Sequence, residues 1–186
     1  MSCWWNGAVT ALAPPDLRLH TTWAEAVREF ADTTVHGSGV WRLPEQRYTD
    51  LSREGCAQFI ALLLEESDPS VPLPDDRVPC TYFWITDGDP EEVVGFLAFR
   101  HRLNAWLFEE GGHIGYSVRP SRRREGHASR ALALAVELAP SLGIDRVLVT
   151  CDEDNLPSAR TIEHGGGVYE DTRNGKRRYW IEAGRP

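Results

Sequence analysis

No apolar run in the 186-residue sequence approaches the roughly 18 residues that a bilayer-spanning helix needs, so no membrane span is expected. The opening residues, Met1 to Gly7, hold no basic residue, and no secretory leader is expected from them. Paired or metal-type cysteine spacing is also missing. Cys3, Cys56, Cys80 and Cys151 stand apart, which fits free thiols in a reducing, cytoplasmic compartment. No Gly-Lys-Ser/Thr occurs after a glycine-rich loop, and Gly126 has no glycine partner upstream. Those absences exclude a Walker-type phosphate loop and a dinucleotide fingerprint. A basic surplus is lacking too: 20 Lys and Arg face 28 Asp and Glu, a net charge of −8, which argues against a nucleic-acid partner. What remains is 41% hydrophobic and 26% charged residues, the composition of a globular chain of one domain's length.

The charge is unevenly placed. Residues 1–111 carry eight Arg against eighteen Asp and Glu, a balance of −10. Residues 112–186 carry eleven Arg and Lys176 against ten Asp and Glu, a balance of +2. Such a split suits one surface for a cation and another for an anion, and equally suits drift along the chain.

Hydrophobic periodicity places the elements. Residues 1–14 lack it and read as an N-terminal tail or arm, with a single domain over 15–186. Leu17 to His20 alternates like a short strand. Thr21 and Thr22 with Glu25 resemble a helix start, and Trp23, Val27 and Phe30 then share a face. A glycine-rich loop, Val35 to Trp41, precedes a second helix over about 50–66, with Ala57, Ile60, Ala61 and Leu64 on one face. The proline-rich stretch 69–79 enforces an extended connection. Strands follow at 81–86, 93–103 and 113–118, a strong helix at 126–139, a buried strand at 146–151 and a helix at 157–164. A hairpin closes the chain around Asn174-Gly175, a dipeptide suited to a type I′ turn. The pattern is an α/β (α+β) unit with a mixed sheet.

The informative segment is Val118-Arg119-Pro120-Ser121-Arg122-Arg123-Arg124-Glu125-Gly126-His127-Ala128. A strand stops at proline, a basic loop follows, and a helix begins at glycine. The first turn of a helix exposes unpaired N–H groups and the positive end of its dipole, and Gly126 allows close backbone approach. Together they form an anion cradle suited to a diphosphate. Arg123-x-x-Gly126-x-Ala128 resembles the acetyl-CoA pyrophosphate loop of the GNAT N-acetyltransferase superfamily. The resemblance covers residues 80–182 well and the earlier helices more loosely.

That resemblance implies the GNAT fold, a mostly antiparallel sheet of about six to seven strands flanked by helices. It implies acetyl-CoA as co-substrate, held by Val118, Arg123, Arg124, Gly126, His127, Ala128, Asn155 and Ser158. Asn155 with Ser158 matches a family signature along the pantetheine arm, although Asn155 is also a good helix cap. The strand His113 to Val118 resembles the fourth strand of the family, whose backbone holds the acetyl carbonyl. One departure concerns the acid that protonates the departing thiolate: the family's tyrosine position is Ile162 here. Tyr116 and Cys151 are substitutes, with Tyr116 also suited to shaping the acceptor pocket. A base is needed because a protonated amine has no lone pair. His113 stands where relatives often carry a glutamate, and imidazole titrates in the useful range. Glu110 is a second candidate base, Glu109 a group to bind the amine. Trp41 is expected at an acceptor site, and the loop from His36 to Gly39 either lines that site, as early loops do in the family, or is an ordinary connection between helices.

The run Asp152-Glu153-Asp154 diverges at a strand end and is not expected to hold a metal. The expected activity is direct acetyl transfer to a primary amine of a cationic small molecule, or of a protein lysine, by a monomer or homodimer. A non-catalytic acyl-CoA-binding sensor and an acyltransferase for another acyl group are the alternatives.

Overall fold

The computed structural model describes residues 10–31, 33–46, 48, 50–68 and 70–184. Their main elements, in chain order, are β1 (Ala11–Ala13), α1 (His20–Phe30), α2 (Arg53–Ser67), β2 (Cys80–Asp87), β3 (Glu92–Arg100) and β4 (Ile114–Val118), then α3 (His127–Leu138), β5 (Arg146–Asp152), α4 (Leu156–His164), β6 (Val168–Arg173) and β7 (Lys176–Glu182). The strands form one sheet in the order β1-β2-β3-β4-β5-β7-β6. Every neighbouring pair is antiparallel except β4 with β5. This is the mixed, mostly antiparallel sheet expected, with seven strands. Among the described residues, no helix is long and apolar enough to cross a membrane.

The N-terminal end departs from the sequence reading. Residues 1–9 of the expected arm, Cys3 included, lie outside the described residues. Ala11–Ala13 is not part of an arm but an edge strand paired with Trp84 to Thr86. Three residues carry too little alternation to read as a strand; a distant partner makes this one. The strand expected at Leu17 to His20 is a tight helical turn, Leu17–Leu19, capped by Asp16, which accepts the Arg18 N–H at 2.8 Å. That turn runs straight into α1, so no threonine caps the helix. Thr22 Oγ1 instead donates to Leu19 O at 3.2 Å and accepts the Val93 N–H at 3.1 Å, tying α1 to β3.

Two cores flank the sheet. On one face α1 and α2 bury Trp23, Phe30, Phe59 and Leu63 against Trp84 and Phe96, and the Trp23 and Trp84 rings stack 6.3 Å apart. On the other, α3 and α4 bury Leu132 and Ile162 against Leu97, Ile114, Val149 and Tyr179. The interior strand β3 is covered on both sides, which explains its near-continuous apolar run. Ser52 caps α2 by accepting the Gly55 N–H at 3.1 Å. The helix buries Cys56, Phe59, Leu63 and Glu66, not the expected face of Ala57, Ile60, Ala61 and Leu64, and Leu64 is 49% exposed. Residues 59–64 are apolar throughout, so periodicity leaves their phase open. Buried Glu66, accepting the Tyr82 hydroxyl at 2.6 Å and facing Arg42 at 3.6 Å, fixes it. Cys56, Cys80 and Cys151 are buried free thiols. The β6–β7 turn has Asn174 at φ +49° and Gly175 at φ +74°, as a type I′ turn requires.

Candidate active site

Parallel β4 and β5 meet at one register pair, Ile114 with Val149, and then part. Arg100 N–H bonds His113 O at 2.8 Å and Arg119 N–H bonds Val94 O at 2.9 Å, which sets the alternation along β4. Peptide groups of Gly115 and Ser117 thus face β3, and those of Tyr116 and Val118 face the gap. Pairing with β5 does not extend to either. Val118 O accepts from Arg123 Nε at 3.1 Å.

At one end of the gap, Gly126 precedes α3 at φ +89°, and a Cβ built there meets nothing within 4 Å. Arg130 N–H is the first amide of α3 to find a helical carbonyl, that of Gly126, at 3.0 Å. Among the described residues, the amides of Gly126, His127, Ala128 and Ser129 have no acceptor, the usual state of a first turn without a side-chain cap. Exposed Arg124, at φ +67°, carries no ion pair among the described residues. Its neighbours are engaged in holding the loop. Arg122 bonds Asp87 and Glu125, each at 2.8 Å, and Arg123 bonds Val118. Arg119 pairs with Glu29 of α1, which also accepts the Ser121 N–H at 3.0 Å and hydroxyl at 2.9 Å. The bond from Arg119, joined by those from Ser121, draws the Glu29 carboxyl down to about 2. The His127 side chain, expected at the cradle, is instead buried, with Nδ1 2.9 Å from Thr10 Oγ1 and Nε2 3.2 Å from Glu125. Only its backbone N–H is presented to the loop.

Across the gap, Asn155 Oδ1 accepts the Ser158 N–H at 3.2 Å and so caps α4. Ser158 Oγ lies 3.0 Å from the Tyr116 hydroxyl, a bridge from α4 to β4. Burial pushes the Tyr116 phenol up to about 12, so it stays protonated near neutrality. Its ring packs on the α3–α4 core and therefore does not line the opposite cavity. Ile162 is fully buried in the same core.

That cavity, of about 1180 Å³, lies on the α1–α2 face between β2, β3 and the loops around residues 33–41, 75–78 and 104–107. The first of these loops sits directly on β4. A Cβ on Gly37 would lie 2.2 Å from Gly115 O, and Ser117 Oγ donates to His36 O at 2.7 Å. Trp41 lines the cavity, with the Arg77 guanidinium 5.2 Å from its ring centre. Ionisable lining groups are balanced: Glu66, Asp75 and Asp76 against Arg28, Arg77 and Arg100, with His36 beside them. The acidic surplus of the first 111 residues is therefore not gathered here.

Three expected residues stand elsewhere. Glu109 pairs with Arg173 at 3.0 Å, and Glu110 accepts from Asn174 Nδ2 at 3.4 Å, so both dock on the β6–β7 hairpin, outside the cavity. Burial, with Arg100 nearby, lowers the His113 ring to about 4. Its Nδ1 accepts the Leu148 N–H at 2.9 Å, so the neutral ring carries its proton on Nε2 and has no free lone pair. His113 is thus a bracket between β4 and β5, not a base. Arg100 was not foreseen. It donates to Gly111 O at 2.9 Å and Gly112 O at 3.2 Å while lining the cavity, and only the long-range pairing of β3 with β4 brings it there.

Residues 46–166 match the model of the acetyltransferase (GNAT) family. The chain belongs to the GNAT family. No curated protein matches this GNAT chain in sequence. Similar solved structures include the ribosomal-protein-S5-alanine acetyltransferase from Vibrio fischeri, at 16% identity and TM-score 0.65, covering 100% of both chains. The microcin C7 self-immunity acetyltransferase MccE, in complex with acetyl-CoA and AMP, aligns at 15% identity and TM-score 0.64 over 95% of this chain and 93% of its own. A GNAT-family acetyltransferase from Bacillus anthracis aligns at 19% identity and TM-score 0.59, covering 93% and 94%. At these identities the likeness is one of fold. The strand that parts from its neighbour, β4, and the helix that opens at Gly126 lie inside the matched segment.

Proposed function

We propose that this GNAT chain transfers the acetyl group of acetyl-CoA to the primary amine of a small molecule, both substrates being bound together. The observation that carries the reading is the opening between β4 and β5, with the α3 cradle beside it and the cavity on the opposite face of the sheet. The residues fit the donor. Four amides at Gly126 to Ser129 and the positive end of α3 suit a diphosphate, and Arg124 adds charge. The Val118 N–H and the amide NH₂ of Asn155 suit the amides of a pantetheine arm. When bound, acetyl-CoA supplies a thioester carbonyl and a thiolate leaving group. The Tyr116 N–H faces the gap and takes the charge developing on the carbonyl oxygen. The Tyr116 hydroxyl, protonated and beside Ser158, replaces the acid missing at Ile162.

A mixed-charge cavity favours an amine that also bears an anionic group, rather than the purely cationic acceptor expected from the sequence. Asp75 and Asp76 attract the ammonium before it loses its proton, and Arg28 and Arg77 face the anion. The test is release of free thiol from acetyl-CoA with a panel of amino acids, polyamines and short peptides, beside calorimetric binding of acetyl-CoA. Turnover fastest on amines that carry a carboxylate is the expected result. Binding without thiol release on any amine points to the acyl-CoA sensor that Ile162 also allows. No binding overturns the donor site.

A further inference from the structure

We propose that His36 is the general base that takes the proton of the acceptor amine. This rests on the acetyl-transfer reading above and names a residue in its machinery. His36 lines the cavity on the loop that seals β4, where its own carbonyl holds Ser117 Oγ at 2.7 Å. The next residue, Gly37, packs so closely on Gly115 O that no Cβ fits between them. His36 is therefore fixed beside the stretch of β4 that borders the opening. Of the other groups, His113 has no free lone pair, Glu109 and Glu110 bind the β6–β7 hairpin, and Glu66 holds Tyr82, while Asp75 and Asp76 line the same cavity and are assigned to attracting the ammonium. No side-chain hydrogen bond of His36 exists among the described residues, which leaves a ring nitrogen to accept a proton.

The charges facing the ring come from three elements. Asp152 of β5 favours protonation, whereas Lys176 of β7, paired with Asp152, and Arg100 of β3 oppose it. His36 is exposed at the cavity edge, and partial desolvation there, the largest influence, lowers the ring from its ordinary 6.5, which favours the neutral form at pH 7. In the step, the amine nitrogen bonds the carbonyl carbon and the carbon–sulfur bond breaks. The N–H proton passes to His36, and the sulfur takes the proton of Tyr116. Solvent then returns a proton to Tyr116 and removes one from His36, leaving the balance closed.

The experiment compares pH profiles of kcat/KM for wild type, His36→Gln and His36→Ala, using the best amine of the panel, with acetyl-CoA affinity measured in parallel. The expected result is a loss of about 10²-fold or more in both variants at unchanged acetyl-CoA affinity. The inflection below 6.5 disappears, any inflection of the amine itself stays, and added imidazole restores part of the His36→Ala rate. An unchanged profile in the variants of an active wild type overturns the role of His36 and leaves the acetyl-transfer reading standing. A wild type that binds acetyl-CoA yet acetylates no amine overturns both.

Discussion

Tyr116 and Glu29 carry the two clearest single-residue consequences. The Tyr116 hydroxyl lies beside Ser158 and its phenol is held protonated, and the proposed reading assigns it the proton for the departing sulfur. Tyr116→Phe is expected to lower kcat by about 10²-fold while acetyl-CoA affinity changes little, as read by steady-state thiol release and calorimetry. Glu29 fastens the cradle loop to α1 through Arg119 and Ser121. Its folded carboxyl titrates at about 2 against an ordinary 4.5, so the stabilisation is complete above 4.5 and fades as pH falls through about 2. Glu29→Gln should therefore cost roughly 1–2 kcal/mol at pH 7, a figure reduced for partial exposure. Urea titrations at pH 7 and at successive steps down from pH 4.5 should show the difference from wild type closing.

Helix α2 shows how an element can be legible in existence and illegible in orientation. Its approximate extent was readable, but six consecutive apolar residues fit several faces. Leu63→Ala should cost about 2–5 kcal/mol and Leu64→Ala within about 0.5 kcal/mol, measured by denaturant midpoints. A larger loss at Leu64 than at Leu63 would place the helix in the phase read from sequence. The same contrast runs through the rest of the chain. The α3 start at Gly126, the Asn174-Gly175 turn and the strands from Cys80 onward were readable because each is set by nearby residues. Strand β1, the retreat of the His127 ring towards Thr10 and the engagement of His113 by Leu148 were not, because each depends on a partner far along the chain. Glu109 and Glu110, chosen for side-chain acidity, have partners on the hairpin that lie far along the chain.

In the molecule as a whole, the sheet is two ladders joined at a single register pair. Strands β1 to β4 form one, β5, β7 and β6 the other, and among the described residues Ile114 with Val149 is their one register pair, beside the His113–Leu148 contacts and the bond from Thr150 Oγ1 to Glu110 O. Amide hydrogen exchange should find the N–H groups of Tyr116 and Val118 poorly protected in the free chain and markedly slowed when acetyl-CoA is added. Unchanged exchange at both would place the donor elsewhere. The opening has a thermodynamic consequence as well. A ligand that binds only the folded chain adds RT ln(1 + [L]/Kd), about 2.7 kcal/mol at a hundredfold excess over Kd. With so little backbone pairing across the middle of the sheet, the donor becomes part of what keeps the two ladders together. The lifetime of this chain against a protease should then lengthen as acetyl-CoA rises, which makes its persistence a gauge of donor supply.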